Sequence, residues 1–183
     1  RQGNRIMMDT DRKRVADCLS RALELKRVDR AGWLRIGIDA PESVAGHSWG
    51  VGFLAMTLCP PGLDRLTVVE MALIHDLPEV IAGDITPHDG VSKAQKHQLE
   101  HAAMVRLTES LPRGEHVRTL FEAYEAGETE EARFVKACDK LDMALQAGIY
   151  AADGFDTREF VQSACDRLGD SELASLVCAE NDG

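Results

Sequence analysis

The sequence predicts an all-α protein folded as a single compact helical bundle, and three observations predict it. Apolar residues recur at spacings of three and four along most of the chain. Capping patterns precede several of those apolar stretches. No alternating apolar–polar run long enough for a strand is present. The 183 residues suit one domain with a substantial core. Short helices and uneven loops favour an orthogonally packed bundle over a long parallel one. Residues 11–183 are assigned to the domain. Residues 1–10, which place Arg1–Ile6 ahead of Met7-Met8, are read as a disordered extension.

A first helix is expected from about Asp11 to Leu25, with Val15, Leu19, Ala22 and Leu23 inward. A loop with Gly32, Gly37 and Pro41 follows. Ser43 is a cap for a helix carrying His47, Val51, Leu54, Ala55 and Leu58 on one stripe, stopped by Pro60-Pro61-Gly62. Thr67-Val68-Val69-Glu70 reads as a capping box, starting a third helix at about Val68 that ends near His75-Asp76, limited by Pro78. Gly83 to Pro87 is a loop. Ser92-Lys93-Ala94-Gln95 opens a helix with Leu99, Ala103, Leu107 and Leu111 in register. Val117, Leu120, Phe121 and Tyr124 mark another, closed by Gly127. Thr129 caps a helix running to about Tyr150, and a last one begins near Thr157 with Phe160, Val161, Ala164 and Leu168 inward.

The net charge of −10 argues against a nucleic-acid polymer as partner, because phosphate tracking needs a basic face. A small anionic substrate is compatible with it, since a bound dication and a few arginines can dominate one site. The apolar runs are too short to span a membrane, and no cationic leader with an apolar stretch opens the sequence. Five cysteines without a CxxC pair read mostly as small core residues, and a reducing, cytoplasmic setting is the expectation.

His75-Asp76 closes the apolar run Val68–Ile74. An imidazole and a carboxylate at the end of a buried segment need partners. A divalent cation satisfies both. Neighbouring side chains on a regular helix diverge by about 100°, so sharing one ion needs a disturbed helix end, which Pro78 provides. His47 shares a stripe with Val51, and Asp139 one with Val135 and Met143, so both should point inward. Singly, His47 reads as a hydrogen-bonded core histidine, and Asp139 as an ion-pair partner of Lys136 or Lys140. Jointly, His47, His75, Asp76 and Asp139 read as a metal site.

A metal hydrolase also needs a proton acceptor near the attacking water. Glu79 is the first candidate and Asp84 the next; the bland alternatives are a solvated helix residue and a loop cap. Arg30, Arg35, Lys93 and Lys96 are candidate phosphate donors. Trp33 is either a wall for a sugar or base, or a core residue. His97 and His101, spaced i, i+4, and His88 and His116 lack a carboxylate motif beside them and read as surface or core residues.

At these residues the chain resembles HD-domain phosphohydrolases, and within them the 5′-deoxynucleotidase group. The stretches that carry the likeness are Lys26–Trp33, Pro41–Ser48, Ala72–Ile85 and Phe134–Asp142, within a span from about Arg14 to Tyr150. The resemblance implies an HD-domain helical bundle and one divalent metal ion (Mn, Co, Mg, Zn or Fe) on His47, His75, Asp76 and Asp139. It implies hydrolysis of deoxynucleoside 5′-monophosphates, with Glu79 acting on the attacking water and Asp84 orienting water or substrate. Trp33 and an arginine would contact the nucleotide; Gly32 stands where the bacterial type has that arginine, which leaves Arg30 as the counterpart. A homodimer is the implied assembly. Two alternatives stay open: a hydrolase or oxygenase of this scaffold acting on another small metabolite, and a non-catalytic helical interaction domain whose metal is structural.

Overall fold

The computed structural model describes residues 9–178, with side chains from residue 11; most of the expected 1–10 extension lies outside that range. The α-helices are α1 (Asp9–Leu23), α2 (Ala31–Arg35), α3 (Val44–Leu58), α4 (Arg65–Ile74), α5 (Glu79–Ala82), α6 (Lys93–Thr108), α7 (Gly114–Ala126), α8 (Glu130–Ala152) and α9 (Arg158–Leu168). Tight 3-10 turns fill Glu24–Arg27, Pro87–Asp89 and Glu172–Leu176. Among the described residues the one strand-like pairing is an isolated bridge between Asp29 and Ser43. The all-α prediction holds.

Local chemistry sets the helix ends. The Ser43 hydroxyl accepts from the Gly46 amide at the start of α3, and Thr129 accepts from Ala132 at the start of α8. Ser92 and Gln95 form the expected reciprocal capping box on α6. Gly127, at φ 66°, turns the chain out of α7 in the left-handed region. The expected Thr67 cap is displaced. Asp64 caps α4 instead, accepting from the Leu66 amide and from the Thr67 hydroxyl. An ionised carboxylate outcompetes a hydroxyl for that position because it accepts more strongly.

The 23-residue α8 is the central post, packed against α3, α4, α7 and α9. One core cluster joins Val51 and Ala55 of α3, Val68 and Met71 of α4, Leu120 and Tyr124 of α7, and Val135 and Cys138 of α8. A second joins Trp33 and Ile38 to Ala147 and Tyr150, with Phe160 and Val161 of α9 against it. Each Val, Leu, Ile, Phe or Met side chain removed fully from water contributes roughly 1.5–3 kcal/mol.

Three expected inward residues are corrected. Leu19, Leu23 and Leu99 are exposed. The side that α1 turns towards the protein carries Val15, Cys18 and Ala22 and continues to Leu25 in the following turn, keeping Val15 and Ala22 of the predicted face but not its leucines. On α6 the buried face is Glu100, Ala103, Met104 and Leu107. Leu111 lies beyond that helix, in a turn whose amide bonds back to Thr108. Two cysteines also depart from expectation: Cys165 of α9 and Cys178 are joined in a disulfide, while Cys18, Cys59 and Cys138 are free. Among the described residues no helix is long and apolar enough to cross a membrane.

Candidate metal centre

His47 sits in the first turn of α3 and is fully buried. His75 is the C-terminal cap of α4, directly after Ile74, and Asp76 follows it. The expected disturbance is present: after Ile74 the backbone tightens into i→i+3 bonds, Leu77 to Ile74 and Glu79 to Asp76, and Pro78 stands at the N-cap of α5. That tightening turns two sequence neighbours towards one point, so His75 Nε2 lies 3.2 Å from Asp76 Oδ2. Asp139 reaches the same point from α8. Its Oδ1 is 3.3 Å from His47 Nε2, and Asp76 Oδ2 is 3.6 Å from that nitrogen. The ligating atoms of His47, His75 and Asp139 all fall within 4.8 Å of one another.

Tautomers make this arrangement demand a cation. A carbonyl can only accept, so His75 Nδ1 must donate to Ala72 O at 2.8 Å, leaving Nε2 as a bare lone pair. His47 Nδ1 lies 2.7 Å from Asp142 Oδ2, which likewise places its proton on Nδ1. Both Nε2 atoms are buried without a hydrogen-bond partner. Lone pairs of two imidazoles and two carboxylates therefore face one another. Burial and Arg30 lower the His47 pKa, but Asp139 and Asp142 outweigh them and push it up to about 9. Burial opposes ionisation of Asp76 and Asp139. The nearby His75, His47 and Arg30 hold Asp76 below the usual carboxylate range, and Lys140, His47 and His75 do the same for Asp139. An ion that takes the place of the extra His47 proton leaves two neutral imidazoles and two carboxylates, a charge of −2 that a divalent cation balances; the donor set fits such an ion.

The ion-pair alternative for Asp139 is met at its second oxygen, 2.9 Å from Lys140 Nζ. Lys136 instead places its ammonium 4.4 Å over the Tyr124 ring. A second cluster of donors, Glu42, His47 and Asp142, shares the other face of the imidazole. There the Nδ1–carboxylate hydrogen bond already satisfies the nitrogen.

Glu79 opens α5, is 2 % exposed, and leaves Oε2 without a partner. Burial, with repulsion from Asp76 and Asp84, raises its pKa well above the ordinary value, against the pull of Arg30 and Lys96. The solvated-residue alternative for Glu79 does not apply. Asp84 does act as a loop cap: its Oδ2 accepts from the Ala31 amide at 2.8 Å, and Oδ1 lies 3.9 Å from Arg30. This stitches the start of α2 to the site and aims Arg30 at Asp76, with Nη1 3.6 Å from Oδ2. Burial works against the Arg30 charge, but Asp76, Asp84, Asp139 and Glu79 more than compensate and raise its pKa.

Trp33 is 1 % exposed. Its ring packs on Phe160 and Tyr150, and its Nε1 donates to Glu42. It forms part of a wall and offers no free face for stacking. Arg35 is paired with Glu159. Lys96 Nζ donates to Ile85 O and lies 3.4 Å from Glu100 and 3.9 Å from Glu79. His97 and His101 pair with Glu125 and Glu122, and His116 with Glu70. None of the three supplies a further imidazole to the cluster.

An open cavity of about 1240 Å³ leads to the cluster, lined by Arg30, His75, Asp76, Glu79, Asp84 and Asp139. Arg35, Lys93, Lys96, Arg133, Lys136, Lys140 and Arg167 surround it, interleaved with Glu100, Glu125 and Glu159. A chain of net charge −10 thus gathers a good part of its cations around one opening. Asp142 is the contributor that the sequence did not single out. Asp142 lies three residues after Asp139 on one helix face, a spacing that could have signalled it.

Helices that bring two imidazoles and two carboxylates to one buried point, beneath a cation-rimmed cavity, define a class: an α-helical domain with a site fit for a divalent metal. The chain belongs to the HD-domain family, whose model matches residues 22–174. It is 43 % identical over 136 residues to the 5′-deoxynucleotidase hdd1 of Schizosaccharomyces pombe, covering 71 % of this chain and 67 % of that one. It is 40 % identical over 159 residues to the human 5′-deoxynucleotidase HDDC2, covering 84 % and 78 %. Among solved structures it is similar to a conserved hypothetical protein of Pyrococcus furiosus, with a TM-score of 0.74, 33 % identity, and coverage of 87 % and 92 %. It is also similar to a predicted metal-dependent phosphohydrolase of Magnetospirillum magnetotacticum, with a TM-score of 0.74, 26 % identity, and coverage of 92 % and 90 %.

Proposed function

We propose that this chain is a metal-dependent phosphomonoesterase that hydrolyses deoxynucleoside 5′-monophosphates to deoxynucleoside and phosphate. The observation that carries the reading is the cluster of His47, His75, Asp76 and Asp139, in which both Nε2 atoms are buried without a partner, beside an open cavity that His75, Asp76, Asp139 and the unpartnered Glu79 line. The names of the similar 5′-deoxynucleotidases support the substrate class.

His47, His75, Asp76 and Asp139 would hold one divalent ion, with Mn, Co, Mg, Zn and Fe all compatible with mixed imidazole and carboxylate donors. When bound, such an ion acidifies water and polarises a phosphoryl oxygen. Arg30, aimed into the site by Asp84, binds the phosphate oxygens and helps neutralise charge that grows in the transition state. Glu79 takes the proton of the attacking water as the new P–O bond forms, and as the bond to the 5′ oxygen breaks that oxygen takes up a proton from solvent and leaves as the hydroxyl. Its raised pKa moves it towards the range of a useful base. Asp84 keeps Arg30 and the Ala31 backbone fixed, so that substrate meets a preformed pocket. Trp33 forms the wall behind that segment.

The reading of a dinuclear oxygenase would need further imidazoles at the metal, and the remaining histidines with described partners pair elsewhere. The decisive experiment is a phosphate-release screen of metal-reconstituted protein over ribo- and deoxynucleoside 5′-monophosphates, with 3′-monophosphates as controls. Release from the 5′-deoxy series is the expected result. A protein that binds one ion yet releases phosphate from none of them would end the proposal. Light scattering tests the homodimer that the resemblance implies.

A further inference from the structure

We propose that Asp142 is a positioning residue for the metal centre: its carboxylate holds His47 in one tautomer and one ring orientation, and Gly50 provides the space that the carboxylate occupies. The proposal rests on the reading of His47 as a metal ligand and deepens it.

The two candidate imidazoles are oriented by different devices. For His75 the acceptor at Nδ1 is a backbone carbonyl, Ala72 O, which no substitution removes. For His47 it is a side chain, Asp142 Oδ2 at 2.7 Å. His47 is fully buried, so without that acceptor its Nδ1–H would be unpaired. The proton would then be free to move to Nε2 and occupy the lone pair that faces Asp76 and Asp139. A carboxylate behind a ligating imidazole also strengthens the ligand by favouring positive charge on the ring. Gly50 lies three residues after His47 on the same helix. A Cβ there would fall well inside contact with Asp142 Oδ1 and 3.0 Å from its Cγ. The absence of a side chain at position 50 is therefore what lets Asp142 of α8 reach across to α3.

The test measures cobalt(II) affinity of the full chain by chelator competition, beside thermal unfolding, for wild type and for His47→Ala, Asp142→Ala, Asp142→Asn, Gly50→Ala and the double variant. Asp142→Ala should weaken cobalt binding about 10–100-fold. Asp142→Asn keeps an oxygen acceptor and should fall between the two. Gly50→Ala should weaken binding by displacing an unmutated Asp142. In the double variant the new methyl group has room, so its cobalt affinity should equal that of Asp142→Ala and its stability should exceed that of Gly50→Ala, a non-additivity that independent structural roles would not produce. Should Asp142→Ala fail to fold, Asp142→Asn and Gly50→Ala carry the test. If Asp142→Ala binds cobalt as tightly as wild type while His47→Ala does not, the positioning role is overturned. If His47→Ala itself binds as tightly as wild type, the metal reading fails first, and the proposal with it.

Discussion

Glu79→Gln separates chemistry from architecture at this site. The side chain is 2 % exposed and Oε2 has no hydrogen-bond partner, so the wild-type protein holds a buried carboxyl against its own solvation. Gln has the same shape and cannot take a proton. Loss of a general base costs about 10²–10⁴ in rate, equivalent to about 2.7–5.4 kcal/mol of barrier. Stability should move the other way, because the charge that burial and Asp76 and Asp84 disfavour is gone. The sign follows from the raised pKa. Glu79 contributes stability fully below its unfolded-state pKa and loses it as pH rises through the higher folded value. In chelator-treated protein, the variant's advantage in unfolding temperature should therefore be absent in acid and appear as pH rises. Steady-state phosphate release gives kcat, elemental analysis gives metal per chain, and calorimetry gives stability. The expected result is one metal per chain, a fall in kcat and no loss of stability. Full turnover in Glu79→Gln would refute the base assignment, and loss of metal would make Glu79 a ligand instead.

Arg30→Met removes a charge-assisted contact worth about 1.5–3 kcal/mol; KM for a nucleoside monophosphate should rise about 10–100-fold, and Arg30→Lys should rescue it poorly, because a lysine cannot make the paired contact. Leu141→Ala empties a fully buried position on α8, two residues after Asp139. It should cost about 2–5 kcal/mol, read as a drop of about 2–4 °C in unfolding temperature per kcal/mol. Chelation should lower the unfolding temperature. Returning manganese or cobalt at 100 times its dissociation constant should restore about 2.7 kcal/mol.

Much of the fold was legible because helix caps and apolar spacing act locally. Ser43, Ser92, Thr129 and Gly127 delimit helices where the sequence placed them. Faces set by packing partners were less legible. Leu19, Leu23 and Leu99 have the residue type of a core position but lie exposed, because the phase of α1 and α6 is decided by what each helix meets. The disulfide and helix α2 escaped because each depends on distant chain: Cys178 returns to α9, and the Ala31 amide is held by Asp84, 53 residues away. At the site, the four converging residues were readable from His, His-Asp and Asp on inward stripes, and Pro78 signalled the distortion that lets neighbours converge. Asp142 was not, since an aspartate in a charged helix has many unremarkable uses. Trp33 carried two readings in sequence, and its burial in the second core cluster decides for the core residue.

Anomalous diffraction from crystals grown with manganese or cobalt tests the central claim most directly. The account predicts one peak, with His47 Nε2, His75 Nε2 and an oxygen each of Asp76 and Asp139 at about 2.0–2.2 Å. A peak held instead by Glu42, Asp142 and His47 Nδ1, or no peak within reach of these residues, would contradict it.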